Sequence, residues 1–331
     1  MIYIACPAKY ATGGTELLHQ LYYKLKVYTK NVRIYYFGSK ENESPINERF
    51  KKYEVKYVKD IEDNSSNIII VPETATNILR NFSSINKSIW WLSVDNYYKS
   101  LGNLDSIMKS LVLKSLLILN GEMFKRKVDF KDKNILHLYQ SYYAKKFLQE
   151  KGVSKSYYLS DYIGSNFLSE HVDLNDFNRK NRVLYNPKKG IKFTKKIISY
   201  NCNIDFCPLI NMTQDQIIDL CKTSKVYIDF GNHPGKDRFP REAAHLGCII
   251  ITGKKGSAKF HEDVMIPEKF KFADSEKNIP NIVNEIKNVF LNYNDIVAKY
   301  NDYRNMIKNE ENIFEDDVKK VWNKFLIQYS K

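Results

Sequence analysis

Three basic residues and Glu242 crowd the start of an expected helix in residues 227–253, YIDFGNHPGKDRFPREAAHLGCIIITG. Residues 227–230 have the apolar, aromatic character of a short buried strand, residues 231–238 form a glycine-containing cationic loop, a helix is expected from Pro240, and residues 248–252 form a second strand. Doubly wound parallel sheets bind ligands in loops of this kind, at the carboxyl ends of their strands. A helix amino terminus adds unpaired N–H groups and a partial positive charge. With Lys236, Arg238 and Arg241 around that terminus and Gly235 in the loop, the natural guest is a phosphate or diphosphate. Glu242, in the first turn, either balances these cations or accepts hydrogen bonds from the hydroxyls of a sugar. His233 either contacts the bound group or holds the loop by hydrogen bonds.

Other residues could share that chemistry. Residues 184–190, LYNPKKG, read as a strand ending in a turn that delivers Lys188 and Lys189 to the sheet edge. They lie in a stretch between Asp176 and Asn201 that holds eight Lys and Arg and no acid; Lys192, Lys195 and Lys196 of that run fit a solvated face. Residues 253–259, GKKGSAK, make a further glycine and lysine loop, with Lys254, Lys255 and Lys259 expected in solvent. For a general base, a strand over 88–93 in WWLSVDNYY would leave Asp95 and Asn96 in the following loop, with Tyr97 and Tyr98 free to stack on a sugar. Asp95 could equally cap the next helix. Glu73, after a strand over 67–71, and Asp161, in LSDYI, are similar cases. The sequence contains no Asp-x-Asp triplet, and His233 and His245 look too isolated for a ligand set. Side-chain cations and a helix terminus are therefore expected to work without a metal or other cofactor.

The run PREAAHLGC, residues 240–248, resembles the nucleotide-sugar-binding segment of GT-B glycosyltransferases, where a glutamate near a helix start is followed by small residues, a glycine and a strand. In much of that superfamily another glutamate lies eight positions upstream; Pro234 holds that place here. LYNPKKG resembles the first loop of the donor domain, and Gly13–Gly14 after the first strand resembles the start of the acceptor domain. The resemblance implies an α/β fold of two Rossmann-like domains facing across a cleft, with a C-terminal helix crossing back to the N-terminal domain. It implies a nucleotide-sugar donor on the second domain, held through Lys188, Lys189, His233, Gly235, Lys236, Arg238, Arg241 and Glu242. The acceptor, a glycan or lipid-linked saccharide as in capsule or lipopolysaccharide assembly, would meet Gly13, Gly14, Glu73, Asp95 and Asn96 on the first. Asp95 and Glu242 are the catalytic candidates. The rivals are a sugar-nucleotide epimerase of the same plan, marked by turnover of the donor alone, and a non-catalytic nucleotide-sugar or nucleic-acid binding protein.

These loops need elements to carry them. A chain of 331 residues is comfortable for two domains, and 43% hydrophobic with 14% aromatic residues suffices to bury two cores. The division expected is 1–163 and 164–331, with a polar linker over 164–176. Strands are expected at 2–6, 32–37, 53–58, 67–71, 88–93, 134–139 and 159–163, then at 183–185, 196–200, 204–206, 227–230, 248–252 and 264–266. A glycine turn and a capped helix over 15–26 follow the first. Alternation of strands and helices implies parallel sheets covered on both faces. The net charge of +14 is concentrated early, with 25 Lys and Arg against 16 Asp and Glu through Ile163. Such a surface attracts phosphates, nucleic acid or anionic lipid; no helix-turn-helix, RNP, KH or finger signature accompanies it, so nucleic acid is not expected. A helix over 101–119, followed by Lys125, Arg126, Lys127, Lys131 and Lys133, fits either an ordinary packed helix or contact with an anionic membrane surface. Five cysteines without a CxxC pair, an opening that runs straight into a strand, and no apolar run near the ~20 residues of a membrane span point to a reducing, cytoplasmic setting, soluble or peripheral on the inner membrane face.

Overall fold

The computed structural model describes residues 1–39, 43–101, 127–174 and 179–329. Residues 102–119 of the expected helix, with Lys125 and Arg126, lie outside them. The chain divides into two compact units, Met1–Asp161 with Asn312–Lys331, and Tyr162–Glu311. The terminal residues thus belong to the first unit, as a returning C-terminal helix requires.

In the first unit, β1 (Ile2–Pro7), α1 (Gly13–Leu25), β2 (Val32–Phe37), β3 (Tyr57–Val58), β4 (Ile68–Pro72), β5 (Asn86–Trp91), α2 (Val94–Ser100), β6 (Ile135–Tyr139), α3 (Tyr142–Glu150) and β7 (Ser156–Tyr158) follow in order. Their seven strands form one parallel sheet ordered β3-β2-β1-β4-β5-β6-β7. Strands such as Ile68–Pro72 are buried along their whole length, as parallel strands covered on both faces must be. Helix α1 lays Leu17, Leu18, Leu21 and Leu25 on the core. Its cap is Thr12, which shares a capping box with Thr15, so Gly13 and Gly14 are the first helical residues rather than a turn before the helix. The 159–163 segment is buried but forms no strand; β7 closes the sheet.

In the second unit, α4 (Ser165–Leu168), β8 (Lys180–Tyr185), α5 (Ile191–Tyr200), β9 (Asp205–Pro208), α6 (Gln214–Thr223), β10 (Ser224–Asp229), α7 (Arg238–His245) and β11 (Ile249–Thr252) precede α8 (Ile279–Leu291), α9 (Tyr293–Ala298), α10 (Asn301–Lys308) and α11 (Glu310–Val321), the last continuing past the end of the unit. The sheet is parallel and ordered β11-β10-β8-β9. Four expectations are corrected. Residues 196–200 are helical, because Thr194 and Ile197 are the buried positions of a stripe that starts at Ile191. Val264 and Ile266 are buried without a strand. The expected linker packs into this unit: Phe167 is in its core, with Leu168, Val172 and Leu174 against it. Helix α7 starts at Arg238, with Pro240 inside its first turn. All five cysteines are free. Among the described residues, no helix is long and apolar enough to cross a membrane.

Candidate functional site

The strand order marks where each sheet can take a ligand. In an open parallel sheet the crevice opens at the carboxyl ends of the two strands where the order reverses. In the second unit these are β8 and β10. Their loops carry Lys188, Lys189 and Gly190 on one side and Gly231 to Asp237 on the other. Gly190 has a φ of 58°, and a Cβ there would stand 2.5 Å from the backbone C and O of Phe230. A Cβ on Gly231 would lie 2.8 Å from the Lys189 Cβ. Only glycine permits so close an approach, which lays Lys189 across the end of β10.

There the structure builds a buried charge cluster. Lys189 Nζ lies 3.2 Å from Asp229 Oδ2 and pairs with Asp237. His233, 0% exposed, stands between the same acids, Nδ1 3.1 Å from Asp237 Oδ2 and Nε2 3.5 Å from Asp229 Oδ1. These are close ion-pair contacts rather than aligned hydrogen bonds. Burial would push the imidazole toward neutrality, but the two carboxylates outweigh it and raise its pKa to about 9. Asp229 and Asp237 are both held below the usual carboxylate range despite burial, chiefly by His233 and Lys189. Asp229, His233 and Asp237 each bring a possible ligand atom within 4.8 Å of the others. The Lys189 ammonium pairs with both acids of this group. The sequence reading of His233 as isolated is therefore corrected: Asp229 and Asp237 lie four residues before and after it, a spacing visible in DFGNHPGKD.

The other expected donor residues separate into two groups. Lys236 and Arg241, 6% and 0% exposed, both pair with Glu310, at 2.8 and 2.6 Å. Arg241 also donates to the Lys236 and Asp237 carbonyls at 3.1 Å, which ties the loop to the first turn of α7. Arg238 and Glu242 face each other at 3.8 Å and are mostly buried, and Lys188 is exposed. Gly235 is buried, its carbonyl accepting from Ser257 Oγ at 2.6 Å. The N-cap of α7 is Asp237, whose carboxylate makes no capping bond and turns to Lys189 and His233 instead. Glu310 left no local signal, since it stands 69 residues from Arg241 in sequence. Lys255 pairs with Asp274 at 2.6 Å and Lys254 with Glu268, so that loop is braced from behind.

In the first unit the order reverses between β1 and β4. The segments after them carry Gly13–Gly14 and Glu73. A Cβ on Gly14 would meet the Leu92 side chain at an ordinary 3.7 Å. Glu73, 3% exposed, accepts the Leu92 N–H at 3.0 Å through Oε2. Burial raises its pKa to about 7, against the pull of the backbone N–H groups of Leu92, Glu73 and Ser93. Ser93 caps α2 by accepting the Asn96 N–H at 3.1 Å. Asp95 is thereby free of capping and accepts a hydrogen bond from Tyr143 Oη at 2.8 Å. Gly14, Glu73, Asp95 and Asn96 thus meet at one edge of one sheet, linked through Leu92 and the start of α2. Tyr143 was not anticipated. Asp161 is buried within the 159–163 segment.

These two parallel sheets, with the terminal residues returned to the first, define a known architecture. The structure matches sucrose-phosphate synthase from Thermosynechococcus elongatus with a TM-score of 0.66 at 12% identity, over 99% of this chain and 100% of that one. The chain has the GT-B fold. WaaG, a glycosyltransferase involved in lipopolysaccharide biosynthesis, matches at a TM-score of 0.60 and 10% identity, over 96% of this chain and 99% of WaaG. HepE of Anabaena, solved with UDP, matches at 0.61 and 10% identity, over 98% of this chain and 100% of HepE. No family model and no curated protein sequence matches the chain. At such identities the GT-B likeness fixes the architecture of both units and assigns no role to a side chain.

Proposed function

We propose that this chain is a glycosyltransferase that moves a sugar from a nucleotide-sugar donor to a hydroxyl of a glycan or lipid-linked acceptor, as in capsule or lipopolysaccharide assembly. The observation that carries the reading is the GT-B match along nearly the whole of both chains, in a fold whose neighbour HepE is solved with UDP and with UDP-glucose. In this reading the donor lies at the β8/β10 crevice. Arg238 and Lys188, at the start of α7 and in the facing loop, meet the diphosphate, and Lys189 reaches it from the charge cluster. Glu242 takes the hydroxyls of the ribose or sugar. Lys236 and Arg241, both paired with Glu310, hold the loop and the first turn of α7 from behind. Negative charge that develops on the departing nucleotide is then stabilised by preorganised cations and helix N–H groups, without a metal. The acceptor meets the edge of the first sheet, where Asp95, oriented by Tyr143, is the candidate base.

The test is a thermal-shift titration with UDP-, GDP-, CMP- and ADP-linked sugars in EDTA, with Glu242→Ala and Arg238→Ala alongside. Stabilisation by one nucleotide class, abolished in both variants, is expected. A folded wild type that answers to none of the donors overturns the reading.

A further inference from the structure

The loop after β10 is pinned at several points along its backbone. Asp229 accepts the Gly231 N–H at 3.0 Å, and its own carbonyl accepts the Gly253 N–H at 2.9 Å. Ser257 donates its N–H to the His233 carbonyl at 2.8 Å and its hydroxyl to the Gly235 carbonyl at 2.6 Å. Gly256, with a φ of 57°, passes so close that a Cβ would stand 2.0 Å from the His233 carbonyl oxygen. At the centre of this loop sits a histidine with no access to water, whose ring reaches one acid at each end of the segment. Nothing in the chemistry proposed above uses that ring.

The groups that face His233 come from every element around it. Asp229 and Tyr227 belong to β10, with Tyr227 Oη donating to Asp229 Oδ2 at 3.2 Å. Asp237 belongs to the start of α7, and Lys189 to the β8 loop. With Lys189 charged and both acids ionised, only a protonated ring leaves the cluster neutral. A neutral ring would leave one uncompensated negative charge in a buried site, which is costly. We propose that His233 is a positioning residue: held as a cation between Asp229 and Asp237, it locks the 230–237 loop and so fixes the start of α7 in the form that receives an anion. The last clause rests on the glycosyltransferase reading; the lock itself does not. Its distinguishing mark is sensitivity to proton loss at alkaline pH, where an ordinary histidine has long been neutral.

The experiment uses the full chain. An NMR pH titration of the imidazole nitrogens should find His233 doubly protonated at neutral pH and titrating near pH 9. Amide exchange over 231–237 should be slow at neutral pH and accelerate through that titration, and His233→Gln should show the fast exchange at every pH. Asp237→Asn serves as the second variant should His233→Gln fail to fold, and should lower the pH at which the loop opens. UDP affinity, followed by calorimetry, should fall about tenfold in His233→Gln, a loss of the size of one coupling free energy between sites. The wild type should drop to the same level above pH 9, with the variant flat over that range. A neutral His233 ring at neutral pH overturns the proposal. So does a His233→Gln loop as protected as the wild type, or Mn2+ that broadens the His233 resonances while stabilising the protein, since an ion-bound ring must be neutral. If the wild type binds no nucleotide at all, the glycosyltransferase reading fails while titration and exchange still decide the lock.

Discussion

Glu73 shows how much one side chain can carry without touching solvent. Its carboxylate sits beneath the start of α2 and accepts the Leu92 N–H, yet burial raises its pKa to about 7 from the ordinary 4.5. The sign of its effect follows. A group that binds its proton more tightly when folded contributes stability that is complete below the unfolded pKa and lost as pH rises through the folded one. Between pH 4.5 and 7 the protein should therefore lose about 3 kcal/mol through this residue. Glu73→Gln should match the wild type at acid pH and be the more stable above pH 7, with a flat profile between. Urea midpoints across that range measure it, and parallel profiles would refute the assignment. The type and position of Glu73 were legible in the sequence, because a carboxylate directly after a buried strand stands at a sheet edge. Its burial was not, because it depends on Leu92 and Ser93, brought alongside by the neighbouring strand. Asp95 was ambiguous for the same reason: capping fell to Ser93, and Tyr143, on a distant helix, decided what the carboxylate does instead.

At the scale of elements, most of the sheet was readable and the loops only in part. Runs such as Ile68–Pro72 and Ile249–Thr252 announce buried parallel strands by composition. Helix α5 was misread because Ile197, Ile198 and Tyr200 mimic a strand, whereas the pattern that governs it begins earlier, after Gly190 in a left-handed cap. That glycine makes the element-scale prediction. Gly190 and Gly152 both have positive φ, 58° and 77°, but a Cβ on Gly190 would overlap the Phe230 backbone, and one on Gly152 would meet nothing within 4 Å. Gly152→Ala should therefore cost only the left-handed backbone, about 1 kcal/mol. Gly190→Ala should cost about 3 kcal/mol or more beyond that, since backbone cannot rotate out of the way as a side chain can. Equal urea midpoints for the two variants would show that the β8 and β10 loops yield more readily than their separation implies. If the donor lies there, nucleotide affinity should fall with Gly190→Ala and stay unchanged in Gly152→Ala.

The molecule as a whole is two cores sharing one chain, and the first is not complete until the last residues arrive. Phe314 stacks on Trp90 with ring centres 6.3 Å apart, Trp322 on Tyr28 at 5.3 Å, and Phe325 packs on Tyr157 at 4.3 Å. Asp317 accepts the Ser160 N–H at 3.2 Å, and the amino terminus donates to the Tyr329 carbonyl at 2.9 Å. None of these partners could be named from sequence, since each joins segments more than a hundred residues apart, although the helical character of the tail was plain. The arrangement predicts how the protein should melt. Each unit has its own sheet, so calorimetry should resolve two transitions. Deleting residues 312–331 should lower only that of the first unit, whose Trp90, Tyr28 and Tyr157 lose their aromatic partners. A nucleotide that binds the second unit should raise only the other, by about 2.7 kcal/mol at a hundredfold excess over its Kd. A single transition, raised by nucleotide and lowered by truncation together, would mean that the two units unfold as one body, and that a ligand on the second sheet stabilises the first.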